Sequence, residues 1–537
     1  MYLRKGIGTG LVLLVLGWAI TGAVSAAAQA RGGGAAAPAA GQGRGGGGGN
    51  QPNPTAVTQP VPAAQMREDK SNMELVGFND LQGRSAYQPT IHHQGNRYIA
   101  YVGHHGGSAV NTLTGANEQN GTLVIDVTDP KMPRTLTHVP GEATPQGQGE
   151  GAQMVRVCDG SVLPRGDRSK VYMLRSFGGS AHEMWDVTDP AKPVRMNVIV
   201  DGLRDTHKNF WECNTGIAYL VGGAPQWRAD RMTMIYDLSD PAKPVFIRNF
   251  GLVGQQPGST GPVPTDVHGP ISLGPNSNRI YFGFGTGSNS IVQIVDREKL
   301  LNGPKEPTEA NLLYPQIARI DLPPDKGAHT AFPLIGMEVA EFAKQRPRAG
   351  RGGAAADAHA GGGPPPEPSQ SRRNFIAVVG ESTGNVCLEN RQMMWMMDIT
   401  TEDKPFGVST FNVPESPGGF CERGGRFGAH ASQENMTSHY YRRIVFLSFF
   451  NAGVRAVDIR DPLNPKEIGY YIPAVTAKTQ NRCAAGVCKI AIQTNNVEVD
   501  DRGYVYIVDR ANTGMHILQL TGSARQVASG LPNLPNN

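Results

Sequence analysis

Four of the chain's 13 histidines stand at the same place in four successive segments. His207 lies in DTHKNFW, His268 in DVHGPIS, His329 in GAHTAFP and His430 in GAHASQE. Three further segments, AYQPTI, GAQMVRV and QTNNVEV, align with these and put Gln88, Gln153 and Asn495 at that position. Neutral imidazoles converging from neighbouring elements suit a divalent first-row ion such as iron, copper or zinc, and an open coordination position would admit chemistry. The competing arrangement is a wet polar channel in which the same rings bond water. Because the four segments are consecutive, their imidazoles arrive from one side, and the spacing also allows only three of them to reach one ion.

A repeated phrase supplies the elements that would position these residues. Leu123 to Pro130 reads LVIDVTDP, and the phrase returns as MWDVTDPAKP ending at Pro193, IYDLSDPAKP ending at Pro244 and AVDIRDPLNP ending at Pro465. Weaker copies surround Asp296 and Asp398, and MHILQL at 515–520 is a last fragment. Each copy is an apolar, β-branched or aromatic run that stops at an acidic turn followed by proline. That pattern is a strand entering a tight turn. Asp126, Asp186, Asp237, Asp296, Asp398 and Asp458 are therefore read as turn-stabilising residues. Their recurrence at roughly fifty to sixty residues is the period of a propeller or solenoid.

Each repeat parses into four strands, which makes the chain all-β. The first has them at 87–92, 97–102, 123–127 and 134–138. Later repeats begin at Ala152, Thr206, Val267, Ala328, Ala429 and Thr494. The seventh runs out of chain before its fourth strand. MELVGFND, from Met73 to Asp80, resembles the fourth strands of other repeats and is expected to complete it. Closure of this kind removes free sheet edges. The expected fold is a seven-bladed β-propeller of four-stranded blades over 71–523, its last blade closed by the N-terminal strand.

The flanks differ in composition. Arg4 and Lys5 precede an apolar run from Leu11 to Val24 and then SAAAQA, the pattern of a secretory signal over 1–30. A Gly/Ala/Pro-rich tether is expected over 31–70, a disordered insertion in the fifth repeat over 346–373 and a tail over 524–537. His359 falls within that insertion and is assigned no role. Six cysteines fit an oxidising compartment, periplasmic or extracellular. The strand register suggests the pairs Cys158–Cys213, Cys387–Cys421 and Cys483–Cys488. A net charge of +4 without a basic block gives no case for nucleic acid, and no membrane span is expected once the signal is removed. A monomer is expected.

Loops at the ends of the second strands would rim the histidine face. They carry His104, His105, His182, Glu381 and Arg510. Binding is conceivable for His104 and His105. Glu381 would orient a ring histidine or act as a general base, and Arg510 would neutralise an anionic ligand or pair with Asp509 or another neighbour. For each, an ordinary solvated or structural role is the alternative.

LVIDVTDP and its copies resemble the LVIVD repeat of secreted bacterial and archaeal β-propellers, over about Met73 to Thr521. The resemblance implies the fold and says little about activity. In site layout alone, four histidines on a propeller axis are similar to carotenoid-cleaving oxygenases, with their iron, and to nitrous oxide reductase, with its copper. Two functions follow: a metal-dependent oxidoreductase (iron or copper) acting on a small organic substrate, or a non-catalytic envelope scaffold binding a ligand at the histidine face. A hydrolase with zinc-bound water is a third. Fold alone does not choose among them.

Overall fold

Strand-forming runs fill most of the chain, and each is short because a turn residue ends it. A computed structural model describes residues 57–142, 151–339 and 372–531, all within the unit spanning 45–537. The expected signal lies outside the described residues, as do 31–56 of the tether, most of the insertion with His359, and the last residues of the tail.

The described chain is all-β, built from successive antiparallel sheets in a propeller-like arrangement. The first sheet holds Ala86–Gln94, Arg97–His105, Thr122–Asp126 and Arg134–Val139, joined by the short strand Gly151–Ala152. The second holds Val155–Asp159, Val171–Phe177, Ala181–Asp186 and Val194–Val200. The third starts at Asn209–Trp211, the fourth at Val267–Ser272 and the fifth at Thr330–Glu338, each with three more strands in chain order. The sheet that starts at Thr494–Val499 takes Met73–Asn79 as its outermost strand, paired antiparallel to Met515–Leu520. The N-terminal strand thus completes the last repeat.

The sixth sheet departs from the expected parse. Ala429 to Glu434 forms no continuous strand there, and only the bridge Ser432 to Leu447 marks the inner position. Its fourth strand is Asp69–Ser71, which pairs with Lys466–Ile472. Val57–Gln59 pairs in parallel with Val487–Ile490. The tether expected over 31–70 therefore carries two short strands, Val57–Gln59 and Asp69–Ser71: backbone groups left open by neighbouring edges recruit them despite the composition. At the other end, the helix Gly522–Val527 packs Ala524 and Val527 against the last sheets, so the expected tail is docked in part.

Packing explains the continuous apolar runs. Leu123, Val124 and Ile125 are all fully buried, because Leu123 and Ile125 pack against Tyr506 and Val508 on one face of the first sheet and Val124 packs against Val155 and Met173 on the other. Glycines let inner strands approach: a Cβ on Gly103 would fall 2.2 Å from the Gln153 carbonyl oxygen, and one on Gly283 would fall 2.3 Å from that of Ala328. The inner strand of the last sheet meets that of the first, where the Asn495 side-chain amide donates to the Tyr87 carbonyl at 3.1 Å. The repeated aspartates close turns as expected. Asp126 accepts from the Thr128 amide at 3.0 Å, Asp186 from Thr188 at 3.0 Å and Asp398 from Thr400 at 2.8 Å. All three expected cysteine pairs are disulfides.

Candidate metal centre

The inner-strand starts bring the four histidines together. His207 and His268 approach with their Nε2 atoms 2.8 Å apart. Ring centroids are 3.8 Å apart for His268 and His329 and 4.3 Å for His329 and His430. The four are between 0 % and 4 % exposed, so they do not line a wet channel. Two groups could hold a metal ion: His207 with His268 and His329, and His329 with Glu381 and His430. Within each, the ligand atoms lie within 4.8 Å of one another. Tetrahedral coordination at about 2.05 Å sets nitrogens about 3.3 Å apart, so shifts of about 1 Å would complete the first group. Neither group contains all four rings, which matches the three-ligand geometry that consecutive segments allow.

Protonation favours metal binding. Burial holds His207, His268 and His329 far below the ordinary imidazole range, reinforced by Arg231 or a neighbouring ring. Burial also brings His430 down to about 3 against the pull of Glu381. All four are therefore neutral at pH 7, with lone pairs available. His329 Nδ1 lies 3.0 Å from the Thr330 hydroxyl, and His430 Nδ1 donates to the Asn495 carbonyl at 2.5 Å. Such outer contacts set ring orientation and leave Nε2 for a ligand.

Tyr87 completes the cluster and was not singled out by the alignment, which marked Gln88. A bulge between Ala86 and Gln88 shifts the register by one. The Tyr87 hydroxyl lies 3.2 Å from His207 Nε2 and 3.4 Å from His329 Nε2. Gln88 instead accepts from the Asn496 side chain. Gln153 is buried on the inner edge of the second repeat. The polar position marked by the alignment is thus real, but only its histidines form the cluster.

The rim candidates divide. His104 and His105 are in the second strand of the first sheet, not in a solvated loop, and both are buried. His104 Nδ1 donates to the Gly121 carbonyl at 3.1 Å, a structural contact. His105 sits edge-on to Tyr87, ring centroids 5.3 Å apart, and belongs to the surroundings of the cluster. His182 is likewise a strand residue, bonded through Nε2 to the Val221 carbonyl at 3.0 Å. Glu381 is buried beside the cluster, not solvated. It accepts from Arg426 at 2.9 Å and lies 3.7 Å from His430 Nε2. Burial raises its pKa, but His430 and the arginines outweigh that and hold it below the usual range. Arg510 faces Glu381 at 3.7 Å rather than Asp509, whose carboxylate accepts backbone amides of Gln493, Ala511 and Thr513.

A second buried layer adjoins the rings. Glu434 pairs with Lys208 at 2.7 Å and with Arg156. Burial raises the Glu434 pKa, yet the two cations bring it to about 2. Lys208 Nζ also reaches the Thr330 hydroxyl at 3.5 Å, which links this layer to His329. Each residue of the layer is unremarkable in sequence. Only proximity to an aligned histidine, as for Lys208, hinted at it.

No protein-family model and no curated protein matches the chain. Fold and site define the class alone: an all-β chain of four-stranded antiparallel sheets with buried histidine groups able to hold a metal ion. The three disulfides fit a secreted or periplasmic setting. No helix among the described residues is long and apolar enough to cross a membrane.

Proposed function

We propose that this is an exported LVIVD-repeat propeller of seven four-stranded blades whose inner histidines bind one divalent transition metal, iron, copper or zinc. The contact of Asn495 with Tyr87 supports closure of the ring, and Met73–Asn79 in the last sheet supports the blade parse. The single observation that carries the metal reading is the mutual packing of four buried imidazoles from consecutive repeats, with the Nε2 atoms of His207 and His268 at 2.8 Å. Burying such polar rings is costly unless their lone pairs are used. An ion held by His207, His268 and His329 uses them.

With a bound ion supplying Lewis-acid or redox chemistry, the class of reaction is oxidation or reduction of a small organic substrate. The chain's own groups then have defined tasks. Tyr87 presents a hydroxyl at the rings, Glu381 stands beside His430 Nε2 as a further ligand oxygen, and Arg426 keeps Glu381 ionised. Export through an N-terminal signal accords with the disulfides.

Elemental analysis of the purified mature protein tests the reading. About one equivalent of metal is expected in the wild type and none in a His268→Ala, His329→Ala double variant that keeps its β-sheet circular dichroism. Metal-free wild-type protein that takes up no added iron, copper or zinc overturns it and leaves a binding scaffold.

A further inference from the structure

Tyr87 is the one tyrosine among the described residues whose hydroxyl touches the candidate ligands. Its oxygen lies 3.2 Å from His207 Nε2 and 3.4 Å from His329 Nε2. His207 in turn meets His268, Nε2 to Nε2, at 2.8 Å, and the His268 ring packs on His329 with centroids 3.8 Å apart. Tyr87, His207, His268 and His329 therefore form a closed circuit of three imidazoles and one phenol. Bonds of about 2.0 Å set neighbouring donors about 2.8 Å apart in a tetragonal site and about 3.3 Å apart in a tetrahedral one. The donor contacts of 2.8, 3.2 and 3.4 Å span that range. His430 stays outside the circuit, its Nε2 3.7 Å from Glu381.

The phenol is fixed in this position. Its ring is 2 % exposed and sits edge-on to His105, centroids 5.3 Å apart. Its own carbonyl accepts from the Asn495 side chain at 3.1 Å, which ties the first inner strand to the last. Charge gives the oxygen a task. Three neutral imidazoles bring no negative charge to an ion, and a buried cation without an anionic partner is costly. The buried carboxylates beside the rings are already engaged. Glu381 faces Arg426 at 2.9 Å and Arg510 at 3.7 Å, and Glu434 is shared by Lys208 and Arg156. A phenolate within the circuit supplies the missing charge at the ion itself.

We propose that Tyr87 is a ligand of the metal ion, bound as phenolate beside His207, His268 and His329. Burial keeps the hydroxyl protonated while no ion is present. On binding, its O–H bond breaks as the bond from oxygen to metal forms, the proton leaves to solvent, and no electron is exchanged. The assignment rests on the metal reading above and adds the fourth ligand to it. Mixed nitrogen and oxygen donors of this kind suit copper(II), which is also the ion whose spectrum reports a phenolate.

Wild-type protein produced in copper(II)-supplemented medium, so that the ion is present as the buried site folds, tests this by visible absorption and resonance Raman spectroscopy. Stoichiometric copper, a phenolate-to-copper charge-transfer band and phenolate ring modes enhanced within that band are expected. Tyr87→Phe should keep the copper and lose the band. Ring-deuterated tyrosine should shift the enhanced modes of the wild type, and this arm decides if Tyr87→Phe fails to fold or to hold copper. Copper bound without the band, an equal band in Tyr87→Phe, or modes that the label does not move overturns the ligand assignment and leaves the metal reading standing. Wild-type protein without copper overturns both.

Discussion

Unfolding of the metal-free protein should take up protons in proportion to its buried imidazoles. An unfolded histidine has a pKa near 6.5, so at pH 5.5 it is about 90 % protonated. In the folded chain His207, His268 and His329 are held far below that value and His430 at about 3, by burial first. Each ring histidine thus gains about 0.9 proton on unfolding at pH 5.5, and four gain about 3.6. The sign follows from depressed folded values. The stability they carry is complete above about pH 6.5 and is lost as pH falls from there toward about 3, the value for His430. At pH 5.5 the four together make stability rise by about 5 kcal/mol per pH unit. The perturbation is His268→Ala with His329→Ala, and the assay is pH-stat titration of chelator-treated protein unfolded in guanidinium. The double variant should take up about two protons fewer. If the truncations let water reach His207 and His430, the difference grows toward about four. Other buried histidines and all carboxylates contribute equally to both proteins and cancel. Equal uptake would refute the reasoning, because it would mean that the rings are already charged or hydrated in the native state.

Other consequences are measurable by denaturation or spectroscopy. Glu434→Ala leaves the buried Lys208 and the half-buried Arg156 without their carboxylate and should cost about 3 kcal/mol in urea denaturation. Glu381→Ala should do the same to Arg426, whereas Glu381→Gln, which keeps an acceptor, should cost less than half as much. Tyr87→Phe removes a hydroxyl shared by two imidazoles and should destabilise the metal-free protein by about 1–3 kcal/mol while leaving metal stoichiometry at one. Removing Cys158–Cys213, whose partners are 55 residues apart, should cost about 4 kcal/mol, against about 2 kcal/mol for Cys483–Cys488, 5 residues apart. Melting of Cys→Ala pairs checks the order.

Much of the scaffold was readable from residue order because its signals are local. The apolar run, the aspartate and the proline of LVIDVTDP encode a strand and its turn within eight residues, and Asp126 makes the turn bond that the phrase implies. The shared period aligned His207, His268, His329 and His430, and the same register paired all six cysteines. Met73–Asn79 was placed because the last repeat lacked a strand that only the N-terminus could supply.

What residue order left open are contacts between segments far apart in the chain. Tyr87 displaced Gln88 from the cluster because one bulge inverts which side chain faces inward, and a bulge has no compositional mark here. Asp69–Ser71 looks like linker and becomes a strand only because the sixth sheet offers it an open edge. His104 and His182 look like loop ligands but are each bonded to a distant backbone carbonyl, those of Gly121 and Val221. Glu381 finds Arg426, and Glu434 finds Lys208, across 45 and 226 residues. The sequence by itself determined the strands, their turns and the shared height of the histidines, since those follow from periodicity and backbone preference. Only the tertiary structure decided which rings converge and which charges are buried together, because burial and pairing depend on what each residue meets across the fold.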